Sequence, residues 1–263
     1  MQNSKCKAIN GRKIAEEVLR PVKKEIARLT KGQIVPHLAI ILVGNDAESI
    51  IYIKEKQKKA KELGVKITLF QYKEKSRHEE IVAQIAKLNQ DKNISGILLQ
   101  LPLPKSFDTD KIINSIDPKK DVDGLRPNSP YPMPCVSAIL KILAKEKIGL
   151  KNKKIVIIGI GRLVGKPLFK IFKERKYNVS LISSQDKNLP KLVKSADILI
   201  CASKNKNIIK KGMIKEGAVV IDAACNVKTD AIKNALCITP QIGGVGPITV
   251  AILLQNVVAS VGA

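Results

Sequence analysis

Val156-Ile-Ile-Gly159-Ile-Gly161-Arg162-Leu-Val-Gly165-Lys-Pro167 is the stretch that decides how this chain folds. An apolar run with β-branched residues reads as a buried strand. Three glycines follow, and then an amphipathic stretch to about Lys173 that reads as a helix. A glycine-rich turn between strand and helix lets the backbone approach a phosphate, and the free helix amides attract its charge. The spacing is GxGxxxG rather than GxGxxG, and Ser183-Ser184 stand where an acidic residue would end the next strand. That is less like a site gripping a free ribose diol. A tight strand-to-helix turn with no ligand is the other way to read the same residues.

Working outward, apolar runs and helical patterns alternate along the chain. Downstream, strands are expected at Asn178–Ile182, Ile198–Ala202 and Ala218–Ile221, with a helix near 189–194 and a last helix from Pro247. Upstream, Asn10 can cap a helix whose Ile14, Val18, Val22, Ile26 and Leu29 share a face, with Pro21 expected to bend it. Strands follow at His37–Val43, Val65–Phe70 and Ile94–Leu99. Helices fall at Ala47–Leu63, around Ile81, Ile85 and Leu88, and from about Val136 to Lys145. Asp117–Pro134 holds five prolines and reads as a loop. Such alternation implies parallel sheets with helices on both faces. The restart near residue 150 implies two domains, expected at residues 1–140 with 246–263 and at 141–245.

The 263 residues carry a formal charge of +24. A basic chain suits nucleic acid or an anionic small molecule. The excess is mostly lysine, spread along the chain, with 3% aromatic residues to stack on bases. A solvated lysine surface is therefore expected, and nucleic acid as the main partner is disfavoured. The five cysteines (Cys6, Cys135, Cys201, Cys225, Cys237) form no CxxC pair, so neither a disulfide framework nor a metal site is indicated. MQNSKCKAIN has no apolar run to serve as a leader. Val245–Ala263 is apolar but contains Pro247, Gln255 and Asn256, which points to a buried helix rather than a membrane span. The expected compartment is the reducing cytosol.

Four other constellations could carry chemistry. In Ser49-Ile-Ile-Tyr52-Ile-Lys54-Glu55-Lys56, Tyr52 and Lys56 share a helix face. A buried lysine beside a phenol can lose its charge and act as a base, although a solvated face is the default for so many lysines. In Ile97-Leu-Leu-Gln100-Leu-Pro-Leu-Pro104, Gln100 ends a buried strand, where ligands bind in open α/β sheets. Its amide is suited to a substrate, to a lysine or simply to solvent. Lys120-Asp121-Val-Asp123-Gly124 sets two carboxylates before a glycine, usually a turn. Thr239-Pro-Gln-Ile-Gly243-Gly244-Val-Gly246-Pro247 sets three glycines before a helix.

Together and in this order, these segments resemble the methylenetetrahydrofolate dehydrogenase/cyclohydrolase family over nearly the whole chain. The resemblance implies a folate-binding catalytic domain and a Rossmann-like domain, the last helix packing back on the first. It implies oxidation of 5,10-methylenetetrahydrofolate with NADP or NAD, then hydrolysis to 10-formyltetrahydrofolate, an oxidoreductase and hydrolase activity of one-carbon metabolism. By resemblance Lys56 is the general base or proton carrier, tuned by Tyr52 and Gln100, and Asp123 meets the pterin. Leu99, Leu101, Gly243, Gly244, Val245, Gly246 and Pro247 join the folate contacts. Gly159, Ile160, Gly161, Arg162, Gly165, Ser184 and Cys225 are implied for the nucleotide. The family also implies a homodimer, and the positive surface suits polyglutamylated folates. Ile160 stands where the family usually has an arginine facing the 2′-phosphate of NADP. This leaves NADP, NAD, or a cyclohydrolase with a decayed cofactor site as alternatives.

Overall fold

The computed structural model describes residues 7–262, and Cys6 with the opening residues lies outside them. In chain order the elements are β1 (Lys7–Ala8), α1 (Gly11–Lys31), β2 (His37–Val43), α2 (Ala47–Leu63), β3 (Lys66–Tyr72) and α3 (His78–Gln90). Next come β4 (Gly96–Leu99), α4 (Thr109–Ser115), α5 (Pro134–Lys145), β5 (Ile155–Ile158), α6 (Gly165–Glu174) and β6 (Val179–Ile182). The chain ends with α7 (Leu189–Lys194), β7 (Ile198–Cys201), β8 (Ala218–Asp222), β9 (Ala235–Ile238) and α8 (Val245–Ala259). No helix among the described residues is long and apolar enough to cross a membrane.

The chain divides into two compact units, one being Glu16–Pro134 with Val250–Ala263. Its sheet is parallel, in the order β3-β2-β4. All seven residues of central β2 are buried, which is why His37–Val43 reads as an unbroken apolar run. Alternate side chains Ala39, Ile41 and Val43 pack with Ile81, Ile85 and Leu88 of α3 and Ile112 and Ile113 of α4. The seven-residue helix α4 was not among the expected helices. Asp108 caps it, accepting from the Lys111 amide. Near the chain end, Asn256 of α8 is buried and donates to the carbonyls of Val122 and Pro132, at 2.9 and 3.0 Å. The last helix thus pins the proline-rich loop, as the resemblance implied.

The second unit comprises residues 7–15 and Cys135–Thr249. Its parallel sheet runs β1-β9-β8-β7-β5-β6. Lys7 and Ala8 pair with Cys237 and Ile238, so the N-terminal strand is part of this sheet. Neither β1 nor β9 was expected; β1, with two residues, is too short to show a period. Pro134 opens α5 two residues before the expected start, at the first helical turn, where its missing amide costs nothing. The sheet order puts β5 between β6 and β7, so the chain crosses over on both sides of the glycine turn.

Candidate active site

Helix α2 shows why one lysine of many differs. Asp46 caps it by accepting from the Ser49 amide at 2.8 Å, and Gly64 ends it at φ 79°. Its buried residues are Ser49, Ile53, Lys56, Ala60 and Leu63, spaced by three or four. Lys56 therefore occupies the core-facing stripe, at a place where helical spacing calls for an apolar side chain. It is 7% exposed, while Lys54, Lys58 and Lys61 point to solvent.

Burying an ammonium removes its hydration, which disfavours the charged form. That loss lowers the pKa of Lys56, and the carboxylate of Asp123 opposes the shift. One polar partner remains: Lys56 Nζ donates to Gln100 Oε1 at 2.9 Å. Gln100 Nε2 in turn donates to the Leu101 carbonyl at 3.0 Å. Since a carbonyl can only accept, this second bond orients the amide and leaves its oxygen for the lysine. The Gln100 main-chain amide still donates to the Ile41 carbonyl, so the residue extends the β4 ladder by one step. Leu99 beside it is buried and Leu101 half-buried. Tyr52, one turn before Lys56, places its ring centroid 5.7 Å from Nζ and is 41% exposed.

The loop after the short helical turn at Pro118–Lys120 supplies the acid. Asp123 keeps part of its surface open, yet loss of hydration around its carboxyl raises its pKa to about 6. Lys56 works against that rise, and the carboxylate of Asp121 adds to it. Asp121 is 0% exposed; one oxygen accepts from the Arg126 amide at 2.8 Å and the other has no protein partner. Its main-chain carbonyl accepts from Ser129 Oγ at 2.9 Å. Asp121 was quoted in the sequence only as half of a turn. Its burial follows from a bridge to Ile97, which no local pattern announces. The site thus holds a lysine and a carboxyl whose proton affinities are pushed toward neutrality from opposite sides.

The glycine turn lies in the other unit. Gly159 has φ 109°, and a Cβ there would stand 2.4 Å from the Ala202 carbonyl. A Cβ on Gly165 would stand 1.7 Å from the Gly159 carbonyl, so the turn closes on itself. Around Gly161, by contrast, nothing lies within 4 Å of that position. Helix α6 begins after Val164 with no side chain capping it. Lys166 donates its amide to the Gly161 carbonyl at 3.1 Å and Pro167 has none, so it is the open space at Gly161 that fits an anionic diphosphate group. Ile160 is 53% exposed and Arg162 is exposed. Ser184 Oγ accepts from Asn205 Nδ2 at 3.0 Å. Cys225 is half-buried at φ 55°, and its carbonyl accepts from the Asn207 amide.

Gly243 and Gly244 lead into α8, whose first residues are Val245 to Pro247, and all five belong to this second unit as well. Gly243 has φ 82°, and a Cβ on Gly11 would fall 1.8 Å from the Gly244 carbonyl. The two backbones are in direct contact there. Tyr52, Lys56, Gln100 and Asp123 therefore gather in one unit; the glycine turn, Ser184, Cys225 and Gly243–Pro247 lie in the other.

Comparison with known proteins matches the chain in two segments. The tetrahydrofolate dehydrogenase/cyclohydrolase catalytic domain matches residues 9–123, and the NAD(P)-binding domain of the same family matches residues 134–263. A bifunctional protein FolD from Bacillus cytotoxicus is 39% identical, over 96% of this chain and 95% of its own length. The structure of the bifunctional enzyme FolD from Campylobacter jejuni superposes with a TM-score of 0.86 at 33% identity, covering 96% of this chain and 97% of that one. The Trypanosoma brucei enzyme, solved with NADP cofactor and an inhibitor, gives 0.91 at 26% identity, covering 98% and 97%. This chain belongs to the tetrahydrofolate dehydrogenase/cyclohydrolase family.

Proposed function

We propose that the chain oxidises 5,10-methylenetetrahydrofolate with NAD(P) and hydrolyses the methenyl product to 10-formyltetrahydrofolate. The observation that carries this reading is the buried Lys56, held by an oriented Gln100 amide and facing a carboxyl of raised pKa. A lysine that has lost part of its preference for charge can take a proton from water as the oxygen adds to the methenyl carbon. It then returns that proton to the ring nitrogen as the carbon–nitrogen bond breaks, while the hydroxyl of the adduct releases its own proton to solvent, and the opened product is the formyl compound. Gln100 keeps Nζ in place through both transfers. Tyr52 offers an aromatic face for the folate ring one turn away. Asp123 accepts from the amino and ring N–H groups of the pterin.

A bound NAD(P) would supply the acceptor for the hydride that leaves the methylene carbon. The open space at Gly161, at the head of α6, would hold its diphosphate, with Ile160, Arg162, Gly165, Ser184 and Cys225 beside it. Folate handling is assigned to residues 1–140 with 246–263, including the backbone at Gly243–Pro247, and the nucleotide to 141–245. Two copies are proposed to associate, supported by the edge strand β3, where Ile67, Leu69 and Phe70 are only half-buried. The charge of +24 favours folates with polyglutamate tails, and a cytosolic home suits cysteines of which none described is in a disulfide.

The test is a paired assay of both half-reactions with NADP and NAD. Reduced nicotinamide and the formyl product should both appear. Methenyl hydrolysis without reduced nicotinamide from either cofactor would leave a cyclohydrolase alone. Failure of both reactions would end the reading.

A further inference from the structure

NADP differs from NAD by a phosphate on the adenosine 2′-oxygen. A site that selects it needs cationic donors at that ribose, and one that selects NAD places a carboxylate there. In a doubly wound sheet this ribose lies at the carboxyl end of the strand after the first crossover, here β6. Ser183 and Ser184 follow that strand directly, and neither repels a phosphate. The next acid, Asp186, engages the Asn188 amide at 2.8 Å. Ile160, in the turn itself, brings no charge.

The loop after β7 is built to reach this corner. Because β5 lies between β6 and β7, the Asn205–Ser184 hydrogen bond spans the carboxyl end of β5, over the glycine turn. The loop rests on that turn, since the Ala202 carbonyl is the atom a Gly159 side chain would strike. It is also held from beneath. Fully buried Asn226 accepts from the Ser203 amide at 2.9 Å and donates to the carbonyls of Ser203 and Asn205, at 2.9 and 2.6 Å. The Asp222 carboxylate anchors Asn226 and Val227 through their amides, at 2.9 and 3.0 Å. Asn205 is flanked by Lys204 and Lys206, both exposed.

We infer that the loop Ser203–Lys206 reads the 2′-phosphate in this chain. Lys204 and Lys206 supply the charge, and the Asn205–Ser184 bond fixes where the loop stands. The inference rests on the glycine turn being the nucleotide site. It makes the chain NADP-selective without an arginine in the turn, with Asn226 as a positioning residue behind the loop.

Calorimetric titration of the apo-protein with 2′,5′-ADP, 5′-AMP, NADP and NAD tests this without turnover. In the wild-type chain 2′,5′-ADP should bind more tightly than 5′-AMP, and added salt should shrink the difference. The Lys204→Ala/Lys206→Ala double variant should weaken 2′,5′-ADP and NADP about tenfold or more, as expected for lost charge-assisted contacts. Its affinity for 5′-AMP and NAD should stay within about twofold. Lys204→Glu/Lys206→Glu should turn the preference toward NAD. Equal weakening of all four ligands, or an unchanged preference for the 2′-phosphate, would overturn the inference. So would loss of that preference in Arg162→Ala alone. Wild-type protein that binds none of the four would overturn the nucleotide reading and this inference together, a result distinct from the others.

Discussion

The surroundings of Lys56 and the turn at Gly159 solve opposite problems. At Lys56 a charged side chain occupies a core position, and its value lies in what burial does to its proton affinity. At Gly159 the backbone is what matters, with side chains absent because carbonyls fill their places. On the proposed reading, the first region gains chemistry at the expense of stability. The second needs glycine in order to fold, whether or not a ligand arrives. Variants should therefore separate the two. Changes at Lys56 remove activity and leave the fold firmer, while changes in the turn damage the fold itself.

The largest effect is expected from Lys56→Met. Hydrolysis of the methenyl compound should fall by about 10²–10⁴-fold, the range for a lost proton carrier. The same variant should melt at a higher temperature than wild type near neutral pH. The sign follows from linkage: a lysine with lowered pKa binds fewer protons folded than unfolded, so it costs stability below its ordinary range. A variant that loses activity and melts lower would break the comparison.

Gly165→Ala comes next. Its Cβ would meet the Gly159 carbonyl at 1.7 Å, and the backbone must move. Losses of about 3 kcal/mol or more in denaturant unfolding are expected, as for other severe steric mechanisms. Unchanged stability would mean the turn is not closed as described.

A third, smaller effect concerns Asp123. Its pKa is raised from 3.8 to about 6, so the stability it contributes is complete below 3.8 and is lost as pH rises through 6. Asp123→Asn should flatten that part of the melting profile, measured between pH 4 and 7. Asp121→Asn removes the neighbouring charge that adds to the rise, and should move the Asp123 titration to lower pH, followed by carboxyl NMR. The smallest effect is expected at Ile160→Ser. With an exposed side chain, unfolding stability should stay within about 0.5 kcal/mol of wild type.

The strands were legible where they ran long and apolar. His37–Val43 and Ile155–Ile158 are buried along their whole length, so burial is written in composition. Helix α2 was legible to its ends because Asp46 and Gly64 mark them chemically. β1, β9 and α4 were not; the β1–β9 pairing joins residues more than two hundred positions apart, and α4 is placed by its packing against β2 and α3. In the site, Tyr52 and Lys56 were paired by helical spacing, but which lysine faces the core needed the buried stripe at 49, 53, 56, 60 and 63. Asp121, Asn205 and Asn226 carried no local signal. Their importance comes from contacts with Ile97, Ser184 and Ser203.

By itself the sequence determined the alternation of strands and helices, the glycine turn and the side chains able to move protons. Those properties reside in local sterics and in covalent chemistry. Only the tertiary structure decided that Lys56 is held by Gln100, that Asp123 titrates near 6 and that Asn205 reaches across β5 to Ser184. Each depends on burial or on the approach of residues distant in the chain, and hydration and hydrogen bonding respond to where atoms are, not to their order.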